Sequence, residues 1–286
     1  MTRLQRALLS WYIRNGRKTL PWRQTRDPYL ILVSEFMLQQ TQVDRVIPSY
    51  ERFVQRFPSF AALAQAPTSD VIRAWKSLGY NTRAVRLKRL AEKVMRDYGG
   101  ALPQEKEALR TLPGIGEYTA AAVRVFAFER DDLAMDANLR RVMQRIMNGS
   151  KVGAPPHRGY EWNSALMDLG ALICTARAPS CTVCPVRTDC ASAPFDPEQH
   201  KRLRSPRRKS AQQRLPFHLT TRFARGRIVD RLRALPQGKR ISLLDLCADL
   251  IGTLPANSLD LIEPLVKQLE SDGIVHRQGD RVALSD

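Results

Sequence analysis

One stretch constrains this chain more than any other: Leu112-Pro-Gly-Ile-Gly-Glu-Tyr-Thr-Ala, followed by an apolar run and then Met135-Asp-Ala-Asn-Leu-Arg-Arg141. Pro113, Gly114 and Gly116 cannot sit inside a helix without cost. Glu105–Leu112 and Tyr118–Phe128 on either side both read as helical. The pattern predicts helix, tight Gly hairpin, helix. Such a hairpin aims bare backbone N–H groups, backed by a helix dipole, at one phosphate of a nucleic-acid backbone. Taken alone, the same residues also fit a plain loop between core helices.

Charge favours the nucleic-acid reading. The 286 residues carry 46 Lys+Arg against 28 Asp+Glu, a net +18, which implies a polyanionic partner. No long uncharged apolar run, lipidation motif or signal-peptide core is present, so membrane binding is not expected and a cytoplasmic, nucleoid-associated location is.

Four of the five cysteines, Cys174, Cys181, Cys184 and Cys190, lie within 17 residues. In a cytosolic chain that clustering argues for a metal centre rather than disulfides. Four thiolates suit zinc or an iron–sulfur cluster. The single Cys-x2-Cys pair and the uneven spacing suit [4Fe–4S] better. Cys247, alone in an apolar helical stretch, reads as a small core residue.

Punctuation divides the rest. Helices are predicted over 4–16, 29–38, 48–56, 60–66, 82–98, 139–147 and 162–173, with another through Trp75 capped by Thr68 or Ser69. The 82–98 helix is basic through Arg83, Arg86, Lys88 and Arg89. Nothing before residue 272 alternates as a strand, so the body is all-α. Residues 193–216 read as a basic linker; within it, 197–214 hold seven Lys/Arg and one Glu. Residues 217–286 read as a small winged-helix-like α+β domain. Its helices span 222–235, 242–251 and 258–271, the last capped by Asn257. A hairpin follows, turning at Gln278-Gly279-Asp280. In winged helices the third helix often reads DNA. Here it carries Asp260, Glu263, Glu270 and Asp272 against Lys267, so this domain is expected to pack or to bind a protein partner.

Glu35 lies inside the apolar run Tyr29–Leu38. It is either a helix-surface residue or a carboxyl whose pKa is raised by apolar surroundings, fit to act as a general acid. The amides of Gln39-Gln40-Thr41-Gln42 can bond base edges or fill the gap left by an extruded base.

Together, Leu20-Pro-Trp-Arg23, Ser34-Glu-Phe-Met-Leu-Gln-Gln-Thr-Gln42, Leu78-Gly-Tyr80, the Gly hairpin with Tyr118, Asp136-x-Asn138 and the four-cysteine loop resemble MutY-type adenine DNA glycosylases. These belong to the helix–hairpin–helix glycosylase superfamily, with endonuclease III as a relative. The resemblance covers residues 4 to 192 and implies a two-lobed helix–hairpin–helix glycosylase domain over 1–192, with a [4Fe–4S] loop at 174–190. It implies that adenine opposite 8-oxoguanine or guanine in double-stranded DNA is flipped into a pocket between the lobes. Glu35 would protonate adenine N7, and Asp136 would stabilise or trap the oxocarbenium-like sugar. Tyr118 stands where endonuclease III relatives carry a Schiff-base lysine, which implies a monofunctional enzyme. Trp22, Arg23, Leu38, Gln40, Gln42, Tyr80, Gly114, Gly116 and Asn138 match DNA- and substrate-contacting positions, and Cys174, Cys181, Cys184 and Cys190 match the cluster ligands. A monomer is expected.

Three departures stand out. Asn81 replaces a second Tyr, Ala137 replaces a Gly, and the family's Nudix-like C-terminal domain is absent, as in compact actinobacterial-type members. The competing expectations are a thymine/uracil mismatch glycosylase of the same superfamily and a non-catalytic iron–sulfur DNA-binding protein. Retention of both carboxylates argues against the latter.

Overall fold

A computed structural model describes residues 1–147, 153–193, 216–250 and 262–286. The helices run α1 Arg3–Asn15, α2 Pro28–Leu38, α3 Val43–Arg56, α4 Phe60–Gln65, α5 Thr68–Ala74, α6 Thr82–Tyr98, α7 Lys106–Arg110, α8 Glu117–Phe126, α9 Ala137–Met147 and α10 Gly159–Leu172. After these come α11 Thr221–Ala234, α12 Leu243–Leu250 and α13 Ile262–Ser271, with strands β1 Ile241–Ser242, β2 Val275–Gln278 and β3 Arg281–Leu284. The body is all-α, and a small α+β part closes the chain. No helix among the described residues is long and apolar enough to cross a membrane. The basic run 197–214, the Asn257 cap and Asp260 lie outside the described residues.

The chain forms two units, each discontinuous in sequence. The first comprises Met1–Glu35, Pro103–Thr111 and the described residues from Ile115 to 193. Its main core joins α1, α9 and α10 through Leu8, Leu9, Leu139, Val142, Trp162, Leu166 and Leu169. A capping box starts α1: the Thr2 hydroxyl accepts from the Gln5 N–H, and the Gln5 amide accepts from the Thr2 N–H. The second unit comprises Phe36–Leu102, Leu112–Gly114 and the described residues from 216 onward. There Phe53 packs edge-on against Phe57 and Trp75.

Two local expectations are corrected. Helix α3 starts at Val43, and Pro48 sits inside it. A proline there removes a backbone bond, but the longer helix buries Val46 together with Ser49, Tyr50 and Phe53 on one face. Helix α5 is not capped by Thr68 or Ser69. Pro67 holds the cap position, and the buried Ser69 hydroxyl donates instead to the Asp286 carboxylate at 2.9 Å.

In the second unit, the described residues from 217 onward share a core with α5 and α6: Ile72 and Val85 join Ile228, Leu232, Leu265, Val266, Leu269 and Val282. The sheet is antiparallel in the order β1-β3-β2, with Val275 opposite Leu284 and Ile241 opposite Val282. Strand β1 was not foreseen, since two residues are too few to show alternation. The acidic residues described on α13 and at its end are neutralised within the unit. Glu263 pairs with Lys267 and Arg277, Asp272 pairs with Arg225, and Glu270 accepts from the Arg277 N–H.

Candidate active site

Glu35 lies on α2 among Ile31, Leu32 and Phe36 and is itself only 6 % exposed. Burial pushes its carboxyl up to about 7, and the nearby charge of Asp136 pushes the same way. The Tyr118 hydroxyl, donating to that carboxyl, and the charge of Arg23 pull it back down. Tyr118, in the first turn of α8, is itself held well above the ordinary tyrosine range, chiefly by burial and then by the Glu35 and Asp136 charges. It therefore stays a neutral donor. All four residues belong to the first unit. The two carboxylates share one electrostatic environment, bridged on the Glu35 side by a phenol.

Asp136 is held by the start of α9. Its Oδ1 accepts from the Leu139 N–H at 2.6 Å, and its backbone carbonyl accepts from the Arg140 N–H at 3.0 Å. These bonds fix the Asp136 side chain at the helix N-terminus. The segment leading into it is fixed by Asn163 of α10. That side chain accepts from the Ala134 N–H at 2.8 Å and donates to the carbonyls of Asp132 and Gly159 at 2.9 and 2.8 Å. Asn163 is fully buried and was not singled out in the sequence.

Asp168, also on α10, was likewise missed. Fully buried, it receives Arg23 through two bonds of 2.6 and 3.0 Å, the Arg17 side chain at 2.7 Å and the Arg17 N–H at 2.9 Å. Those donors hold its carboxyl below the usual range despite burial. Arg23 therefore faces Asp168, and Trp22 beside it is buried. Asp168 carried the same signal as Glu35, a carboxylate inside an apolar helical run.

Asn138 accepts from Arg141 at 2.9 Å, and Arg141 continues to the carbonyls of Cys174 and Gly170. One turn on, Arg145 donates to the Cys174 sulfur at 3.5 Å and to the carbonyls of Thr175 and Ala176. Helix α9 thus presents Asp136 at its start and two guanidinium groups to the cysteine loop. Cys174, Cys181, Cys184 and Cys190 all line one pocket, together with Ile146, Leu169, Pro179 and Arg187. Among the described residues no three His, Cys, Asp or Glu side chains close on a single metal ion. Four thiols around one pocket match the ligand set that a thiolate-bound iron–sulfur cluster or a zinc ion needs.

The hairpin glycines differ. Gly114 has φ +82°, and a Cβ there would come within 2.8 Å of the Phe36 ring, so only glycine fits. Gly116 precedes α8, and a Cβ there would meet nothing within 4 Å.

In the second unit, Leu38 ends α2, Gln40 is exposed with φ +56°, and the exposed Gln42 precedes α3. Tyr80 is 37 % exposed with φ +47°. Arg83, read from sequence as part of a basic face, is instead buried. It donates to the carbonyls of Phe36, Met37 and Gln39 at 2.8, 2.9 and 2.7 Å and to those of Leu78 and Gly79 at 3.0 and 3.2 Å. Burial lowers its pKa to about 10. This one side chain gathers the end of α2 and the turn before α6.

Residues 33–157 match the model of the HhH-GPD superfamily of base excision DNA repair proteins. An adenine DNA glycosylase of Mycobacterium tuberculosis is 43 % identical over 246 residues, covering 79 % of this chain and 77 % of that one. A thymine-DNA glycosylase of Aeropyrum pernix is 36 % identical, covering 65 % of this chain and 92 % of its own. The solved structure of a thermostable thymine-DNA glycosylase superposes with TM-score 0.61 at 34 % identity, covering 65 % of this chain and 93 % of that one.

Proposed function

The chain belongs to the HhH-GPD superfamily of base excision DNA repair proteins, and from that premise we propose how its residues divide the work. It is a MutY-type adenine DNA glycosylase, a hydrolase of base excision repair. The proposal concerns the substrate context and the residue roles. The substrate is adenine opposite 8-oxoguanine or guanine in duplex DNA, flipped out of the stack. The enzyme is monofunctional and acts as a monomer at the nucleoid.

The observation that carries this is Glu35, buried and raised to about 7, hydrogen-bonded to Tyr118 and coupled to Asp136. At neutral pH a large share of Glu35 is protonated and can give its proton to adenine N7, which makes the base a leaving group. The glycosidic C–N bond then breaks, and its electron pair leaves with the base. Asp136, fixed by its bond to the start of α9, stabilises the cationic sugar until water adds. Tyr118 has no amine with which to form an imine, so the strand is left intact. Asp168 positions Arg23, whose charge trims the Glu35 pKa. Gly114 and Gly116 shape a phosphate site before α8; Leu38, Gln40, Gln42 and Tyr80 face the base stack, and Asn138 supports Asp136. Cys174, Cys181, Cys184 and Cys190 would hold a [4Fe–4S] cluster whose part is structural, fixing the loop that carries Arg177 and Arg187. We also assign 1–192 to the glycosylase domain, 193–216 to a linker and 217–286 to a winged-helix-like domain.

Similarity to thymine-DNA glycosylases favours one alternative. The test is incubation with A:8-oxoG, A:G, T:G and U:G duplexes followed by alkali. Adenine release from the first two is expected. Release of thymine without adenine would overturn the substrate assignment.

A further inference from the structure

The turn joining α5 to α6 is held in a conformation its sequence does not favour. Ser77, Gly79 and Tyr80 all have positive φ, +77°, +68° and +47°, and two of these residues carry side chains. Such backbone persists only where its surroundings over-determine it. From within the helical part, Arg83 and the Trp75 indole N–H bond the carbonyls of Leu78 and Gly79.

The other half of the grip comes from residues more than 130 positions later, in the same unit. Arg233 of α11 donates to the Asn81 side chain at 2.6 Å and to the Ile72 carbonyl at 3.1 Å, while Arg73 of α5 returns bonds to the carbonyls of Arg233 and Leu235. The Arg222 guanidinium lies 4.0 Å from the centre of the Tyr80 ring and 5.8 Å from that of Phe217. Arg222 and Tyr80 are both exposed. Gly273, at the end of α13, seats against Arg89 of α6 so closely that a Cβ would meet its guanidinium.

We propose that the C-terminal winged-helix-like region is a positioning element for the substrate-facing turn: Arg233 locks Asn81, and Arg222 stacks on Tyr80 and adds a cation to the DNA contact that Tyr80 makes. An exposed aromatic ring with a guanidinium on its face suits an unstacked base beside a phosphate. Asn81 then has a purpose of its own. Where a second Tyr would wedge, this chain carries an amide that ties the turn to α11. Arg233 is a positioning residue that acts through Asn81; Arg222 meets DNA directly. The inference rests on the proposed placement of Tyr80 against the substrate duplex.

The experiment uses the full chain. Arg222→Ala, Arg222→Lys, Arg233→Ala, Asn81→Ala and the Arg233→Ala/Asn81→Ala double variant are compared with wild type. Duplex binding is measured across a salt series, and excision of A:8-oxoG and A:G under single turnover, with melting temperatures to confirm folding. Arg222→Ala is expected to weaken binding about tenfold and to lower the salt slope by about one. Arg222→Lys restores the slope but not the full affinity. Arg233→Ala and Asn81→Ala each change the A:8-oxoG to A:G ratio, and the double variant is no worse than either single one. In all of them the loss falls more in binding and selectivity than in the rate at saturation. A wild-type salt slope in Arg222→Ala, or additive effects of Arg233→Ala and Asn81→Ala in folded protein, would overturn the inference. If wild type released thymine rather than adenine, the substrate reading would fall, and the same binding series on T:G duplex would still decide the roles of Arg222 and Arg233.

Discussion

Replacing Glu35 by Gln should abolish excision and, at alkaline pH, stabilise the fold. The Glu35 carboxyl is raised from 4.5 to about 7 when folded. The folded protein therefore binds more protons than the unfolded chain between those values. The penalty is absent below about 4.5, grows as pH rises through the window, and is complete above about 7. With about 1.4 kcal/mol per unit, it comes to roughly 0.8 kcal/mol at pH 5 and roughly 3 kcal/mol at pH 8. Glutamine keeps the shape and the acceptor facing Tyr118 and never ionises. Urea unfolding of both proteins at pH 5 and pH 8 should show the variant gaining little at the lower pH and on the order of 2–3 kcal/mol at the higher, at equal m. Its excision rate should fall by about 10²-fold or more at either pH, the worth of a positioned acid. A stability difference independent of pH, or a loss of stability at pH 8, would refute the buried-acid argument.

Tyr118→Phe removes the donor that lowers the Glu35 pKa, so the half-point of its single-turnover pH profile should move above that of wild type. Asp168→Asn leaves Arg17 and Arg23 facing an uncharged amide in a buried site; urea unfolding should show a loss of about 3–5 kcal/mol. Gly114→Ala meets both a left-handed backbone and the Phe36 ring and should cost about 1–3 kcal/mol of stability, whereas Gly116→Ala should leave the melting temperature near wild type and weaken DNA binding. Purified protein should absorb near ~400 nm, the signature of a thiolate-bound iron–sulfur cluster, and Cys184→Ser should lose that band together with ordered structure in the loop.

Much of this was legible in the chain because the informative signals are local. A Pro-Gly-x-Gly between helical runs, a carboxylate inside Tyr29–Leu38 and four clustered cysteines each betray their chemistry within a few residues. What escaped was set by partners far away in sequence. Asp168 sits in an apolar helix as Glu35 does, yet its meaning lies with Arg17 and Arg23, about 150 residues earlier. Arg83 falls in a basic helix, and periodicity cannot foresee the carbonyls of two separate segments converging on it. By themselves the acidic residues of the last helix suggest a phosphate-repelling face, but Arg225 and Arg277, distant in sequence or beyond the helix, pair with Asp272 and Glu263. Strand β1 is too short to announce itself, and its pairing with β3 is a tertiary fact.

The central claim is that a protonated Glu35, with Asp136 set to stabilise the sugar cation, drives departure of adenine. The most direct measurement is the rate of free-adenine release from an A:8-oxoG duplex under single turnover between pH 5.5 and 9. The account predicts a plateau that falls through a midpoint near about 7, with Glu35→Gln and Asp136→Asn both inactive while still binding the duplex. A flat profile across that range, or undiminished release by Glu35→Gln, would contradict it.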